Sequence, residues 1–320
     1  MGGWGGVRGT GRRRSWAAAA LLTALAALLP GCATDRGSRA IPSPSVPASS
    51  RGAGPVTYVS IGDSYAAGYQ PIAGQLIGKT STSGYAYQLV KRATLRGAHL
   101  SVVNFACGGE TSTALLEQKQ CFHFLQGPGT PAYDGQTQAA AALGYIRQHR
   151  AQVGLVTISI GGNDVIGCSG GTNIIPCLRS HVPTLTANLR RFLTELRAAA
   201  APDVTIVGIT YPDVLLGGDV FNTPEATKLA ADSVVGFENV LNPALKATYA
   251  AAGATFVDVT AATGAYVPMA RTTVLAPFGR IPVSVARVCQ LTYYCELQDI
   301  HPRDNGYRLI ADLIARVLPK

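Results

Sequence analysis

The stretch VTYVSIGDSY, residues 56–65, decides the fold. Its first six residues are rich in β-branched side chains, which suit a pleated strand. Gly62 then ends the apolar run, and the polar Asp63 and Ser64 come directly after it. A buried strand that stops in a small polar cluster directs attention to the ends of the other strands.

Four more strand-like runs lie downstream: LSVVNFA (100–106), VGLVTISI (153–160), DVTIVGIT (203–210) and ATFVDV (254–259). Between them come stretches with helical character, over residues 85–96, 136–150, 184–201 and 224–252. A last helix is predicted from Asp304 to Leu318, with Asp304 or Asn305 as its cap. Strands that are apolar nearly throughout and alternate with helices predict a parallel sheet covered on both faces. Ligands of such sheets bind beyond the carboxyl ends of the strands. Polar clusters occur there: GDSY (62–65) after the first strand, ACGGET (106–111) after the second, and GGND (161–164) after the third. DIHP (299–302) precedes the final helix.

These blocks, in this order, resemble those of the SGNH (GDSL-type) hydrolase family across about residues 56–318. The resemblance implies a three-layer α/β/α sandwich around a flavodoxin-like, five-stranded parallel sheet. It also implies a serine ester hydrolase that works through an acyl-enzyme. Ser64 would be the nucleophile, and a serine hydroxyl, protonated at neutral pH, needs a base within reach. His301 is the candidate base. The Ser64 and Gly109 backbone N–H groups and the Asn163 side-chain amide would form the oxyanion hole. Asp63 and Asp164 would hold loops, and His99, His123, His149 and His181 match no block.

The acid partner of His301 stays open. The family commonly spaces it Asp-x-x-His, and the position three before His301 is Gln298. Asp299 lies two residues before the base. An extended backbone puts alternate residues on one side, which keeps Asp299 in play. The Gln298 backbone carbonyl is the competing partner, and Glu296 a third.

Substrate class is read from two loops, residues 212–224 and 266–297, which carry apolar side chains such as Leu215, Phe221, Val274 and Phe278 among Gly and Pro. An apolar acyl pocket would favour a lipase or esterase of medium or long chains. The alternatives are an O-acetyl deacetylase acting on cell-envelope or plant polysaccharide, and a catalytically dead tethered binding lipoprotein. The expected partner is a small-molecule or lipid ester, with the protein a monomer.

Compartment is written at the N-terminus. GRRRSW (11–16) precedes a 13-residue uncharged run, Ala17 to Leu29, which is too short to span a bilayer and reads as a signal peptide over residues 1–31. LPGCA (29–33) resembles a bacterial lipobox, which would make Cys32 the lipidated first residue and place the protein on the outer face of the cell membrane. Without lipidation it would be secreted to the envelope. Residues 32–54, rich in Ser, Pro and Gly, read as a flexible tether, and residues 55–320 as one hydrolase domain. The formal charge is +9, but Arg8, Arg12, Arg13 and Arg14 precede the apolar run, leaving +5 (nine less four). That charge is too diffuse for a nucleic-acid partner.

Of seven cysteines, six remain after Cys32. An even count in an exported chain favours disulfides, and the close sequential pairs are Cys107–Cys121, Cys168–Cys177 and Cys289–Cys295. No CxxC or HExxH spacing suggests a metal, and no cofactor is expected.

Overall fold

The apolar runs become the middle of one twisted sheet in the computed structural model, which describes residues 55–171 and 173–320. Its strands, in chain order, are β1 (Val56–Gly62), β2 (Tyr69–Gln70), β3 (Lys79–Thr80), β4 (Thr94–Leu95) and β5 (Ala98–Asn104). They continue with β6 (Val153–Ser159), β7 (Thr205–Ile209), β8 (Thr255–Val257), β9 (Thr272–Leu275) and β10 (Gly279–Pro282). The main sheet has the order β4-β5-β1-β6-β7-β8, with β2–β3 and β9–β10 as separate two-stranded pairs. Residues 50–320 form a single compact unit. The expected signal peptide, tether and Cys32 lie outside the described residues.

Strand side chains alternate between faces, and the core divides accordingly. Val59, Ile61, Val156, Ile158 and Ile206 pack on one side, against the helices Gln138–Gln148, Ile174–Ala199 and Asn242–Ala251. Tyr58, Leu155, Val207, Ile209 and Val257 pack on the other, against Tyr85–Val90 and Asp304–Val317. These are the three layers of an α/β/α sandwich. All seven residues of β6 are buried, as a strand covered on both faces requires.

Five elements differ from expectation. The five parallel strands are joined by a sixth, β4, which runs antiparallel to β5. The helix expected over 85–96 accordingly stops at Val90; Arg96 (φ 53) and Gly97 (φ 78) turn the chain back. The helix expected from Thr184 begins at Ile174 and runs through Pro183, because Leu178, Val182, Leu185, Leu189 and Phe192 are all buried against the sheet. A π-helical turn, Phe237–Leu241, interrupts the helix expected over 224–252. Arg303, not Asp304 or Asn305, is the cap residue of the final helix. Asp304 Oδ1 instead accepts a hydrogen bond from Gln70 Nε2 at 2.8 Å.

Three disulfides are present: Cys107–Cys121 and Cys168–Cys177 follow the ends of β5 and β6, and Cys289–Cys295 joins the helices Val283–Leu291 and Tyr294–Leu297. Among the described residues, no helix is long and apolar enough to cross a membrane.

Candidate active site

The turn after β1 is held from several directions. Gln138 clamps the Gly62 peptide, accepting from its N–H at 2.9 Å and donating to its carbonyl at 3.0 Å. Gly62 has φ +149, and a Cβ there would lie 2.4 Å from the Ser159 carbonyl oxygen, so only glycine fits. Asp63 caps the short helix Ser64–Ala67 by accepting from the Tyr65 N–H. It also accepts from Ser159 Oγ at 3.2 Å and Tyr211 Oη at 2.6 Å. The cap leaves the Ser64 N–H, at the first helical position, among the amides with no partner inside the helix.

The base comes from the far end of the chain. His301 Nε2 lies 2.8 Å from Ser64 Oγ, and His301 Nδ1 lies 2.7 Å from Asp299 Oδ1. A carboxylate only accepts, so Nδ1 carries the proton and Nε2 is left to accept from the serine hydroxyl. Asp299 Oδ1 also accepts from the His301 backbone N–H at 2.9 Å. That Asx-type turn brings a carboxylate only two residues away onto the imidazole. Burial opposes ionisation of Asp299, but the hydrogen bonds and charge of His301 hold it below the usual carboxylate range. Gln298 takes a left-handed conformation (φ 52) that turns the chain into this arrangement. Glu296 points to Arg303, with its carboxylate 2.9 Å from the guanidinium.

The remaining polar clusters converge on the same rim. Asn163 lies just past β6, and its amide nitrogen donates one hydrogen to the Glu110 carbonyl at 2.9 Å, leaving the second free to donate. Gly109, after β5, has φ +82, with nothing within 4 Å of where a Cβ would sit. Its requirement for glycine is therefore conformational. Ser64, Gly109, Asn163, Asp299 and His301 border one open cleft of about 250 Å³, together with Tyr69 and Leu125. Asp164 accepts from Ser112 N at 2.9 Å and Ser112 Oγ at 2.5 Å, joining the loops after β5 and β6.

A second cavity, of about 50 Å³, meets the first at Ser64, Asn163 and Ile300. Its walls are apolar: Val165, Ile166, Ile174, Leu178, Leu215 and Phe237 are among them. The π-helical turn supplies Phe237 and also Leu241. Of the two loops expected to shape a pocket, 212–224 contributes Pro212, Val214 and Leu215. Segment 266–297 lines neither cavity; its Ile281, Val285 and Cys289 form a small core with Val220 of the first loop packed against it.

Several supporting residues have roles that no motif in the sequence displays. Tyr65 Oη donates to the Ile300 carbonyl at 2.6 Å, tying the nucleophile turn to the residue before the base. Tyr211 packs edge-on against Tyr65, centroids 5.1 Å apart. Tyr69 lies against the His301 ring at 4.5 Å. Tyr65 and Tyr69 stand in or close to GDSY, and Ile300 within DIHP, but their contacts, and Tyr211 altogether, are set only by the fold.

No curated protein matches the sequence. Among solved structures, the chain is similar to an extracellular lipase from Streptomyces rimosus, at 18% identity over 82% of this chain and 99% of that one, with a TM-score of 0.49. It is similar also to a lipase from a goat rumen metagenome, at 13% identity over 82% and 96%, TM-score 0.47. A catalytic mutant of an acetylxylan esterase from Geobacillus stearothermophilus aligns at 15% identity over 83% and 95%, TM-score 0.46. The pattern of the GDSL-like lipase/acylhydrolase family matches residues 60–309, most of the chain. The protein belongs to that family and is a carboxylic ester hydrolase.

Proposed function

We propose that the protein cleaves short-chain carboxylic esters through an acyl-enzyme on Ser64. His301 takes the Ser64 proton as the hydroxyl attacks the ester carbonyl, and Asp299 stabilises the imidazolium that forms. The tetrahedral oxygen is received by the Ser64 and Gly109 N–H groups and the Asn163 amide. His301 returns its proton to the leaving alcohol, and water attacks the acyl-enzyme by the same route. The observation that carries this reading is the unbroken chain Ser64 Oγ–His301 Nε2 (2.8 Å) and His301 Nδ1–Asp299 Oδ1 (2.7 Å).

The two cavities divide the substrate between them. The apolar one takes the acyl chain and the open cleft takes the alcohol. At about 50 Å³ the apolar cavity is small beside the open cleft of about 250 Å³, which suits a short acyl chain better than a long one. This favours a short-chain esterase over the medium- or long-chain enzyme expected from loop composition. Removal of acetyl groups from a polysaccharide is the second reading, supported by the same narrow acyl space beside a wide, open alcohol side. We further propose export, with lipid attachment at Cys32, supported by three disulfides and by the sequence of residues 11–33.

A nitrophenyl ester series from acetyl to dodecanoyl, run beside an acetylated xylan, tests the assignment. Turnover that peaks at four carbons or fewer and vanishes in Ser64→Ala is expected. A peak at long chains overturns the acyl-length assignment, and turnover that survives in Ser64→Ala overturns the mechanism.

A further inference from the structure

Two loops that adjoin residues of the cleft wall carry large apolar side chains exposed to solvent. Leu76 is fully exposed, and Ile77, Phe122 and Phe124 are each more than half exposed. The Phe122 and Phe124 rings stack on each other, 5.8 Å between centroids and 19° from parallel. Scattered single apolar residues on a surface need no explanation, but a group of them does.

The group is built as a unit with the cleft. Leu76 and Ile77 lie in the loop between β2 and β3, and β3 packs against the turn His123–Leu125. Each loop has a neighbouring residue in the cleft wall, Tyr69 for the first and Leu125 for the second. Tyr69 also fastens its loop at both ends. Its hydroxyl accepts from the Gly78 N–H at 2.6 Å, while its ring lies against His301. On the other loop, the Cys107–Cys121 disulfide holds the start of the Phe122–Phe124 segment to the strand end that carries Gly108 and Gly109. Gly108 N donates to the Leu125 carbonyl at 2.9 Å, which sets the end of the same segment. The apolar tips are therefore presented on held loops that adjoin the cleft wall at Tyr69 and Leu125.

The charge carried by these two segments has one sign. Residues 69–82 contain Lys79 and no acid, and residues 118–130 contain Lys119 and His123 and no acid. Lys79, Lys119 and His123 are exposed. Of the acids nearby, Glu117 lies one residue before the second segment, Asp299 is bonded to His301 within the cleft, and Asp304 is taken up by Gln70 at the base of the first loop. Exposed Leu, Ile and Phe beside lysines is the chemistry of a surface that enters the boundary between headgroups and acyl chains of an anionic bilayer.

We infer that the loops 71–78 and 118–125 form a docking surface for an anionic lipid bilayer. It seats the protein with its catalytic cleft facing the membrane. The binding itself does not depend on the hydrolytic mechanism, so it can be tested without turnover.

Both tryptophans of the chain, Trp4 and Trp16, precede residue 50, and residues 50–320 carry the whole sheet and its two packed faces. Residues 50–320 with Phe124→Trp therefore contain a single tryptophan reporter at the patch. Adding vesicles of phosphatidylglycerol and phosphatidylcholine should shift its emission to the blue and bring the protein down with the vesicles. Pure phosphatidylcholine vesicles should bind at least tenfold more weakly. Leu76→Ser/Ile77→Ser in the same background should weaken binding at least tenfold. It should leave hydrolysis of a soluble acetyl ester within twofold, which reports an intact fold. No blue shift with anionic vesicles overturns the proposal, as does undiminished binding of the loop variant. Equal binding to neutral and anionic vesicles overturns the role of the lysines and with it the anionic partner. Loss of ester turnover in every form, with the shift retained, counts against the proposed function and supports the docking surface.

Discussion

Asp299 Oδ1 lies 2.7 Å from His301 Nδ1 although a single residue separates them in the chain. The contact needs the carboxylate to fold back over its own backbone, accepting also from the His301 N–H. The spacing usual for an acid, three residues before the base, falls on Gln298, which serves as the left-handed turn that aims Asp299.

Asp299→Ala should lower kcat by about 10³- to 10⁴-fold, as loss of a triad carboxylate does. KM for a soluble ester should change little. Steady-state kinetics checks this, and a loss below about tenfold would assign the orienting role to a backbone group.

Asn163→Ala should cost about 10²–10³ in kcat, the usual effect of removing one oxyanion donor. It also removes the hydrogen bond to the Glu110 carbonyl. Thermal unfolding measured beside the kinetics separates the two effects, since the catalytic loss should far exceed any change in stability.

Ile166 is partly buried on the wall of the narrow cavity. Ile166→Ala should widen that cavity and raise kcat/KM for octanoyl relative to acetyl esters. Truncating a buried Ile costs about 2–5 kcal/mol, and a partly exposed one less, so the variant should remain folded. An unchanged chain-length profile would move the acyl group elsewhere.

Removing the Cys107–Cys121 disulfide by double substitution to alanine opens a loop of sequence separation 14. In the chain-entropy picture such a loop is worth about 3 kcal/mol. Activity at a temperature where the variant is still folded should also fall, since the loop carries Gly109. Denaturant unfolding and kinetics on the same sample measure both.

Burial lifts Asp63 to about 7 and Glu110 to about 8, with Asp213 also raised to about 7 by burial. A carboxyl whose folded value is raised binds its proton more tightly in the native state. Its contribution is complete below its unfolded value, near 4, and is lost as pH rises through 7–8. Asp299, held low, acts in the opposite sense, losing its contribution as pH falls below its ordinary value of 3.8. Tm should therefore decline from pH 5 to pH 8.5. Glu110→Gln should flatten the upper part of that decline in calorimetry.

The parts of the fold legible from residue order are those with strong local patterns. Five apolar runs become β1, β5, β6, β7 and β8, because burial on both faces leaves little room for polar side chains. The edge strand β4 is not legible: two residues, Thr94 and Leu95, form a strand only because β5 lies alongside. The π-helical turn likewise has no local signature; its residues Phe237 and Leu241 line the narrow cavity. The long helix starts ten residues before Thr184 because a local rule against proline at Pro183 yields to a buried stripe from Leu178 to Leu196.

The candidate site divides in the same way. Ser64, Gly109, Asn163 and His301 can be named from sequence because each sits in a short block at a strand or helix end, where chain order and turn chemistry are local. Which group meets His301 Nδ1 depends on how a few residues curl in space. The links from Tyr65 to Ile300 and from Tyr211 to Asp63 join residues 235 and 148 positions apart. Sequence alone determined the alternating α/β class through periodicity, and the resemblance of its short blocks to the SGNH family named the candidate nucleophile, base and oxyanion residues. Tertiary structure decided the acid that meets the base, the width of the narrow cavity and the apolar loop tips that adjoin the cleft wall, because contacts between distant segments leave no pattern in the order of residues.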